Sequence, residues 1–432
     1  MSDDPRFVQK GFGLKSKVAE ELAVDYRSAL LDGLRALGSS VSVGRMTLHL
    51  AEEFGFCYGV DRAIDYPYET RSHFPDRTVY VTNEIIHNPF VNERLRSLGF
   101  RFFGEGWSLE DVAHEDVVLL PAFGATVELV DQLRARGCVI VDTTCGSVMN
   151  VWKRVRRYTR DGFTSIIHGK HQHEETVATA SHATSGGGAV LVVRDEQEAS
   201  LVCRVIRGEL SAESVLERLG QACSPGFDPA RDLRRIGVAN QTTMLASESL
   251  HISALLEGAV RARDGAEGVL ANFRRFDTIC SATQDRQDAI LKLGEREPLD
   301  VILVIGGFNS SNTTHLCGIA GRFAPSYHIS GTEDLVSAGE IRHQGHGEQS
   351  LTVARDWLPT GRLRVGVTSG ASTPNSIVAG VIERLGELIG VDVGAHIAEL
   401  RPAEVALATG APAADRRDGP QPLPLHDPEA LL

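Results

Sequence analysis

Residues Val139–Trp152 read VIVDTTCGSVMNVW. Four residues suited to a buried strand run into two threonines and Cys145, and a helical pattern takes over within a few positions. A short apolar run that gives way to a helix is the mark of a parallel sheet covered by helices. The thiol stands where the strand ends and the helix begins, where the helix dipole favours thiolate. Two other cysteines share that setting, Cys57 in AEEFGFCYGVDRAI and Cys280 in FDTICSATQDRQDAI. The inference is that three thiolates far apart in sequence meet in space around a metal centre.

Outward from this stretch the same alternation continues. TLHLAEEF, TVYVTN, DVVLLPAFG, CVIVDTT, TSIIHG, AVLVVRD, RIGVANQ, DVILVIGG and RVGVTSG read as strands, most followed by a helical segment. The fold class is therefore α/β with mainly parallel sheets. In such sheets ligands bind beyond the carboxyl ends of the strands. The unusual polar residues fall there: Asn83 to His87, Phe123, Cys145, His168 to Glu175, Asn240 to Thr243, Asn309 to Asn312 and Ser369 to Thr373.

The chain has 432 residues, 42% of them hydrophobic, which suffices for about three domains. No run of 18 apolar residues and no apolar segment behind the first residues is present, so a cytoplasmic protein without a membrane span is expected. Seven cysteines in so long a chain do not form a disulfide framework. Cys138, Cys203, Cys223 and Cys317 are read as packed thiols. A net charge of -13 argues against nucleic acid as partner. AEELAVDYRSALLDGLRALG, with Leu22, Tyr26, Leu30 and Leu34 at helical spacing, predicts one amphipathic helix packed outside the main fold. The segment 208–232 reads as a helical insertion with a loop, and the Ala-, Pro- and Asp-rich sequence beyond about 400 as a disordered tail.

Three constellations carry chemistry. HGKHQHEETVATASHA brings His168, His171 and His173 to a helix expected to start near Thr176, with Glu174 and Glu175 beside them. Helix N–H groups with imidazoles would hold an anion such as phosphate, and a carboxyl there could donate protons; a His-rich zinc site remains a second reading. GGFNSSNTTH (306–315) and TSGASTPNS (368–376) offer glycines, hydroxyls and amides of the kind an oxyanion cradle uses. Neither has a P-loop lysine or a dinucleotide fingerprint.

Taken together, FGFCYGVDRAI, TNEIIHNPFVNERL, LPAFGA, VDTTC, IHGKHQHEETVATAS, ANQTTML, TICSATQDRQDA, GGFNSSNT and GVTSGASTP resemble, in order, the motifs of the 4-hydroxy-3-methylbut-2-enyl diphosphate reductases, from about Thr47 to about Leu388. The N-terminal extension, LPAFGA and HEETVATAS look like the plant and cyanobacterial branch. The resemblance implies a trefoil of three α/β lobes around a central 4Fe-4S cluster held by Cys57, Cys145 and Cys280, its fourth iron open to the substrate hydroxyl. Lobes are expected over 46–145, 146–275 and 276–398, after an N-terminal helical extension (1–45) and before the tail (399–432).

It further implies that His87, His173, Ser310, Ser311, Asn312 and Ser372 hold the diphosphate, that Thr242 stands near the substrate hydroxyl, and that Glu175 supplies the proton. The products would be isopentenyl and dimethylallyl diphosphate, the last step of the methylerythritol phosphate route. Electrons would come from an external carrier such as ferredoxin or flavodoxin, with KRVRRYTR (153–160) as candidate docking face. Two positions depart from the family pattern: Phe123 stands where the commoner bacterial branch has a histidine, and Gly146-Ser147 follow Cys145 where proline and a large apolar residue are usual. An iron–sulfur hydro-lyase, a cluster-containing redox sensor and a structural zinc protein are the competing readings.

Overall fold

The computed structural model describes residues 5–275, 279–345 and 350–400; the expected C-terminal tail lies outside them. All nine strands read from the sequence form, and they divide among three sheets. The first sheet runs Phe7–Val8, Val139–Asp142, Val117–Leu120, Val79–Val81, Phe100–Phe102, all parallel. The second runs Phe273–Arg275, Ile236–Asn240, Thr164–His168, Val190–Val193, also all parallel. The third has seven strands: Leu351–Arg355, Glu340–Gln344, Ser326–Ile329, Val301–Ile305, Leu363–Ser369, Met46–Leu50 and Ser40–Val43. Its middle is parallel and its two edges antiparallel.

The connection between sheets is cyclic, and it explains why three distant cysteines can meet. Met46–Leu50 belongs to the third sheet, yet the helix Tyr58–His73 that follows it buries Val60, Ala63 and Ile64 against Val79 and Val81 of the first. Val139–Asp142 belongs to the first sheet, and the helix Gly146–Arg160 buries Val151, Val155 and Tyr158 against Ile167 and Val190 of the second. Phe273–Arg275 belongs to the second, and the helix Ser281–Arg296 buries Ala289, Ile290 and Leu293 against Ile302 and Val304 of the third. Each crossing from one lobe to the next passes through one cysteine.

The expected lobe boundary at 46 therefore changes. Met46–Leu50 pairs in parallel with Leu363–Ser369 rather than with any strand of the first sheet, because its apolar residues Leu48 and Leu50 fill the core built by Val365, Val367 and Val378. The extension before it is also not purely helical. Phe7–Val8 pairs with Val139–Asp142 and Ser40–Val43 with Met46–Leu50. The single amphipathic helix expected there is two, Lys15–Tyr26 and Ala29–Ala36, broken where Ser28 caps the second by accepting from the Leu31 N–H. Asp25, at the end of the first, accepts from Tyr68 Oη at 2.6 Å and Arg94 Nε at 2.9 Å, and its carbonyl accepts from Ser376 Oγ. The extension thus binds elements of two lobes together. Residues 208–232 form the short helices Glu213–Leu219 and Pro229–Asp232 with connecting loop, as expected. Among the described residues no helix is long and apolar enough to cross a membrane.

Candidate active site

Cys57, Cys145 and Cys280 are each the N-cap residue of their helix, with extended backbone. All three line one cavity at the centre of the lobes. Gly59 marks how close they come: a Cβ built there would lie 2.5 Å from Cys145 Sγ and 3.9 Å from Cys57 Sγ. The Cys145 helix starts at Gly146 without the usual proline, and Gly146 faces open space. In the metal-free protein Cys57 and Cys145 are less acidic than the helix dipole alone would make them. Burial pushes the Cys57 thiol up to about 11, against the pull of the Arg286 guanidinium, and raises Cys145 as well. A bound metal would take these protons off outright.

The thiols do not fit a single ion. Among the described residues, the one set of three ligand atoms lying mutually within 4.8 Å is His87, His173 and Glu174, not the three sulfurs. Thiolates on one zinc lie about 3.8 Å apart. Three thiols spread more widely around a cavity suit a polynuclear cluster.

Glu175 lies deep in the wall of the same cavity, 2% exposed. Thr242 donates to both of its oxygens, from N–H to Oε1 at 2.6 Å and from Oγ1 to Oε2 at 2.8 Å. Burial outweighs these bonds and lifts the carboxyl to about 7. A proton on a carboxyl so placed is available near neutral pH.

His173 caps the helix Glu174–Thr184, which starts two residues earlier than the sequence suggests. Burial holds the His173 ring neutral, its pKa pushed down to about 3. Its Nδ1 accepts from the Glu175 N–H at 3.2 Å, so the ring's proton sits on Nε2. That N–H donates to His87 Nε2 at 3.2 Å, leaving His87 Nδ1–H to donate to Glu84 Oε2 at 3.1 Å. With this tautomer His173 offers an N–H that can donate to an anion. Phe123 stacks on His87, centroids 4.2 Å apart, and contributes an apolar wall.

The N-terminus of the helix Ser311–Ala320 also lines the cavity, and Asn309, just before it, donates to Glu84 Oε2 at 2.7 Å. Ser310 caps the helix, accepting from the Thr313 N–H. Ser311 Oγ and both amide atoms of Asn312 are buried without any partner, although both residues line the cavity. Orphaned donors at a helix N-terminus are what an incoming anion would satisfy. Ser372, also in the wall, donates from Oγ to the His87 carbonyl at 3.1 Å. Val60, Ile86, Ala122 and Val148 supply an apolar remainder.

A family model described as LytB protein matches residues 48–386. The chain belongs to the LytB family. It is 48% identical to a protein of Gloeobacter violaceus named 4-hydroxy-3-methylbut-2-enyl diphosphate reductase, over 94% of this chain and 98% of that one. Identity is 49% to a protein of the same name from Synechococcus sp. (strain RCC307), over 89% and 94%. The solved E-1-hydroxy-2-methyl-but-2-enyl-4-diphosphate reductase of Plasmodium falciparum, 20% identical, shares the fold over 78% of this chain and 86% of that one, with a TM-score of 0.57.

Not every polar residue of the strand ends reaches the cavity of this LytB protein. His168 is fully buried on the far side, its Nδ1 paired with Ser249 Oγ at 2.7 Å and its pKa pushed down to about 4 by burial. His171 is exposed. Conversely, Thr283 and Arg286 were not singled out from the sequence. Thr283 Oγ1 lies 3.6 Å from Cys280 Sγ, and its place three residues after the cysteine was the one available signal.

Proposed function

We propose that this LytB protein is a 4-hydroxy-3-methylbut-2-enyl diphosphate reductase, forming isopentenyl and dimethylallyl diphosphate with a 4Fe-4S cluster held by Cys57, Cys145 and Cys280. The observation that carries the reading is one cavity combining three helix-capping thiols, an acid lifted to about 7 and unpaired anion donors. Relatives at 48–49% identity bear this name. The reaction takes up two electrons and two protons, breaks the allylic C–O bond, forms a C–H bond and releases water. When bound, the cluster supplies the electrons and a Lewis-acidic iron for the departing hydroxyl.

The remaining work falls to side chains. Ser311 Oγ, the Asn312 amide, the helix N-terminus behind them and His173 Nε2–H bind the diphosphate, far from the reacting carbon, and so orient it. Ser310 and Ser372 fix that loop and the His87 backbone. His87, held by Glu84 at its Nδ1, stands beside His173 on the same wall. Val60, Ile86, Phe123 and Val148 enclose the carbon chain and keep water out. A proton on Glu175 Oε2 reverses its bond with Thr242, whose own hydroxyl hydrogen then turns into the cavity. Glu175 and Thr242 together thus form a one-step relay to the leaving oxygen.

Anaerobic incubation of the iron–sulfur-loaded protein with the hydroxymethylbutenyl diphosphate and a small-molecule reductant should yield both products, with none when reductant is omitted. Product formed without reductant would make it a hydro-lyase; no reaction at full cluster content would remove the reading. Seven thiols with no disulfide suit a reducing compartment such as the cytoplasm. An acidic electron carrier, ferredoxin or flavodoxin, would dock on the exposed Lys153, Arg157 and Arg160 of the helix leaving Cys145. Arg156 of the same helix is instead engaged with His182 Nδ1 at 2.7 Å. Charge reversal at Lys153 and Arg157 should slow reduction by the carrier about tenfold at low salt and leave the small-molecule rate unchanged; equal effects on both would discard this face.

A further inference from the structure

Arg286 is a cation with 3% of its surface exposed. It lies on the helix Ser281–Arg296, under two turns beyond Cys280. Its Nη1 donates to the Ala282 carbonyl at 2.8 Å, its Nη2 to the Gly55 carbonyl at 2.6 Å, and its Nε has no partner. It forms no ion pair with a carboxylate among the described residues.

The carbonyl that Arg286 grips belongs to the loop of a different ligand. Gly55 stands two residues before Cys57 in left-handed backbone, φ 82°. Its N–H donates to Ser369 Oγ at 2.8 Å, and the Cys57 N–H donates to the Ala371 carbonyl at 3.2 Å. The loop is thus pinned on one side by the third sheet and on the other by an arginine anchored on the Cys280 helix. A buried guanidinium without a carboxylate is unfavourable by itself.

We propose that Arg286 is a positioning residue for the cluster, locking the Cys57 loop to the Cys280 helix and serving as the buried counter-charge that makes the cluster easier to reduce. The proposal rests on the iron–sulfur reading above. Three thiolates outweigh the charge of an oxidised 4Fe-4S core, and reduction adds another negative charge. A fixed cation beside one ligand in a low-dielectric site favours the reduced state. Lysine would keep the charge but lose the two-point fork.

The test uses full-length protein reconstituted with iron and sulfide under anaerobic conditions. Arg286→Met should lower the ratio of reduced to oxidised cluster about tenfold at a fixed solution potential, equivalent to ~59 mV for one electron. Arg286→Lys should keep the midpoint within twofold of wild type by the same measure, yet release iron to a chelator several-fold faster. A midpoint in Arg286→Met equal to wild type overturns the charge role; iron release in Arg286→Lys equal to wild type overturns the lock. If Arg286→Met does not fold, as judged by circular dichroism, the lysine variant decides alone, and wild-type retention of iron by it ends the proposal. A wild-type protein that takes up no iron and sulfide would defeat the cluster itself, a result distinct from any variant behaving like wild type.

Discussion

Glu175→Gln is expected to lower turnover by ~10²–10⁴-fold while leaving iron content and substrate affinity near wild type. Glutamine keeps the shape and accepts from the Thr242 N–H through its carbonyl, but it has no proton to give. The same substitution should show itself in stability. The carboxyl is buried and its folded value stands at about 7, above the ordinary value of 4.5. The native state therefore binds this proton more tightly than the unfolded chain. The associated stability is fully present below pH 4.5 and is lost as pH rises through 7. Glutamine, neutral throughout, escapes that loss. Relative to wild type, cluster-free Glu175→Gln should gain stability between pH 5 and 7 and reach a plateau of about 3 kcal/mol above it. Urea melts at pH 5 and pH 8 measure this difference. A gain of the same size at both pH values would mean that the carboxyl is not titrating in this range. Normal turnover would take Glu175 out of the chemistry.

What the sequence made legible follows from what periodicity encodes. A continuous apolar run flags a strand buried on both faces, and every such run is a strand. The strands that escaped notice are short, exposed or, like Ser40–Val43, Ser326–Ile329 and Glu340–Gln344, interrupted by polar residues. Phe7–Val8, Phe100–Phe102 and Phe273–Arg275 have two or three residues, and Leu351–Arg355 is an edge strand whose residues are only partly covered. Pairing is a different matter. Nothing in MTLHL says that it lies beside RVGVTSG, more than 300 residues away, rather than beside TVYVTN; packing of Leu48 and Leu50 into the third core decides it. The same limit applies within the site. His168 and His173 belong to one polar segment, but the first ends a strand and points to Ser249, while the second caps the next helix and faces the cavity. Arg286 was invisible for the opposite reason. In QDRQDA an arginine among carboxylates and amides reads as a solvated helix face, yet its face is the one turned toward Gly55.

Gly59→Ala is expected to remove most of the iron from the protein, an effect as large as loss of a ligand, although it deletes none. Gly59 is the second residue of the helix after Cys57 and is buried. Its backbone is not left-handed, so conformational freedom does not explain it. Space does: the added methyl carbon would meet Cys145 Sγ at 2.5 Å and Cys145 Cβ at 3.4 Å, where an unstrained carbon–sulfur contact needs about 3.6 Å or more. The sulfur must then leave the cavity wall or the helix must move away from Cys57. Alanine is otherwise the better helix former by about 1 kcal/mol, so the cluster-free protein should melt no lower than wild type. Gly146→Ala is the matching control, a glycine at the first turn of the Cys145 helix with nothing within 4 Å of the added carbon; it should retain full iron. Iron and sulfide content of the two variants, each beside its cluster-free melt, separates crowding of a ligand from loss of fold. Full retention by Gly59→Ala would mean that Cys145 can bind from another rotamer and that the close approach of the first two lobes is not what holds the thiols in place.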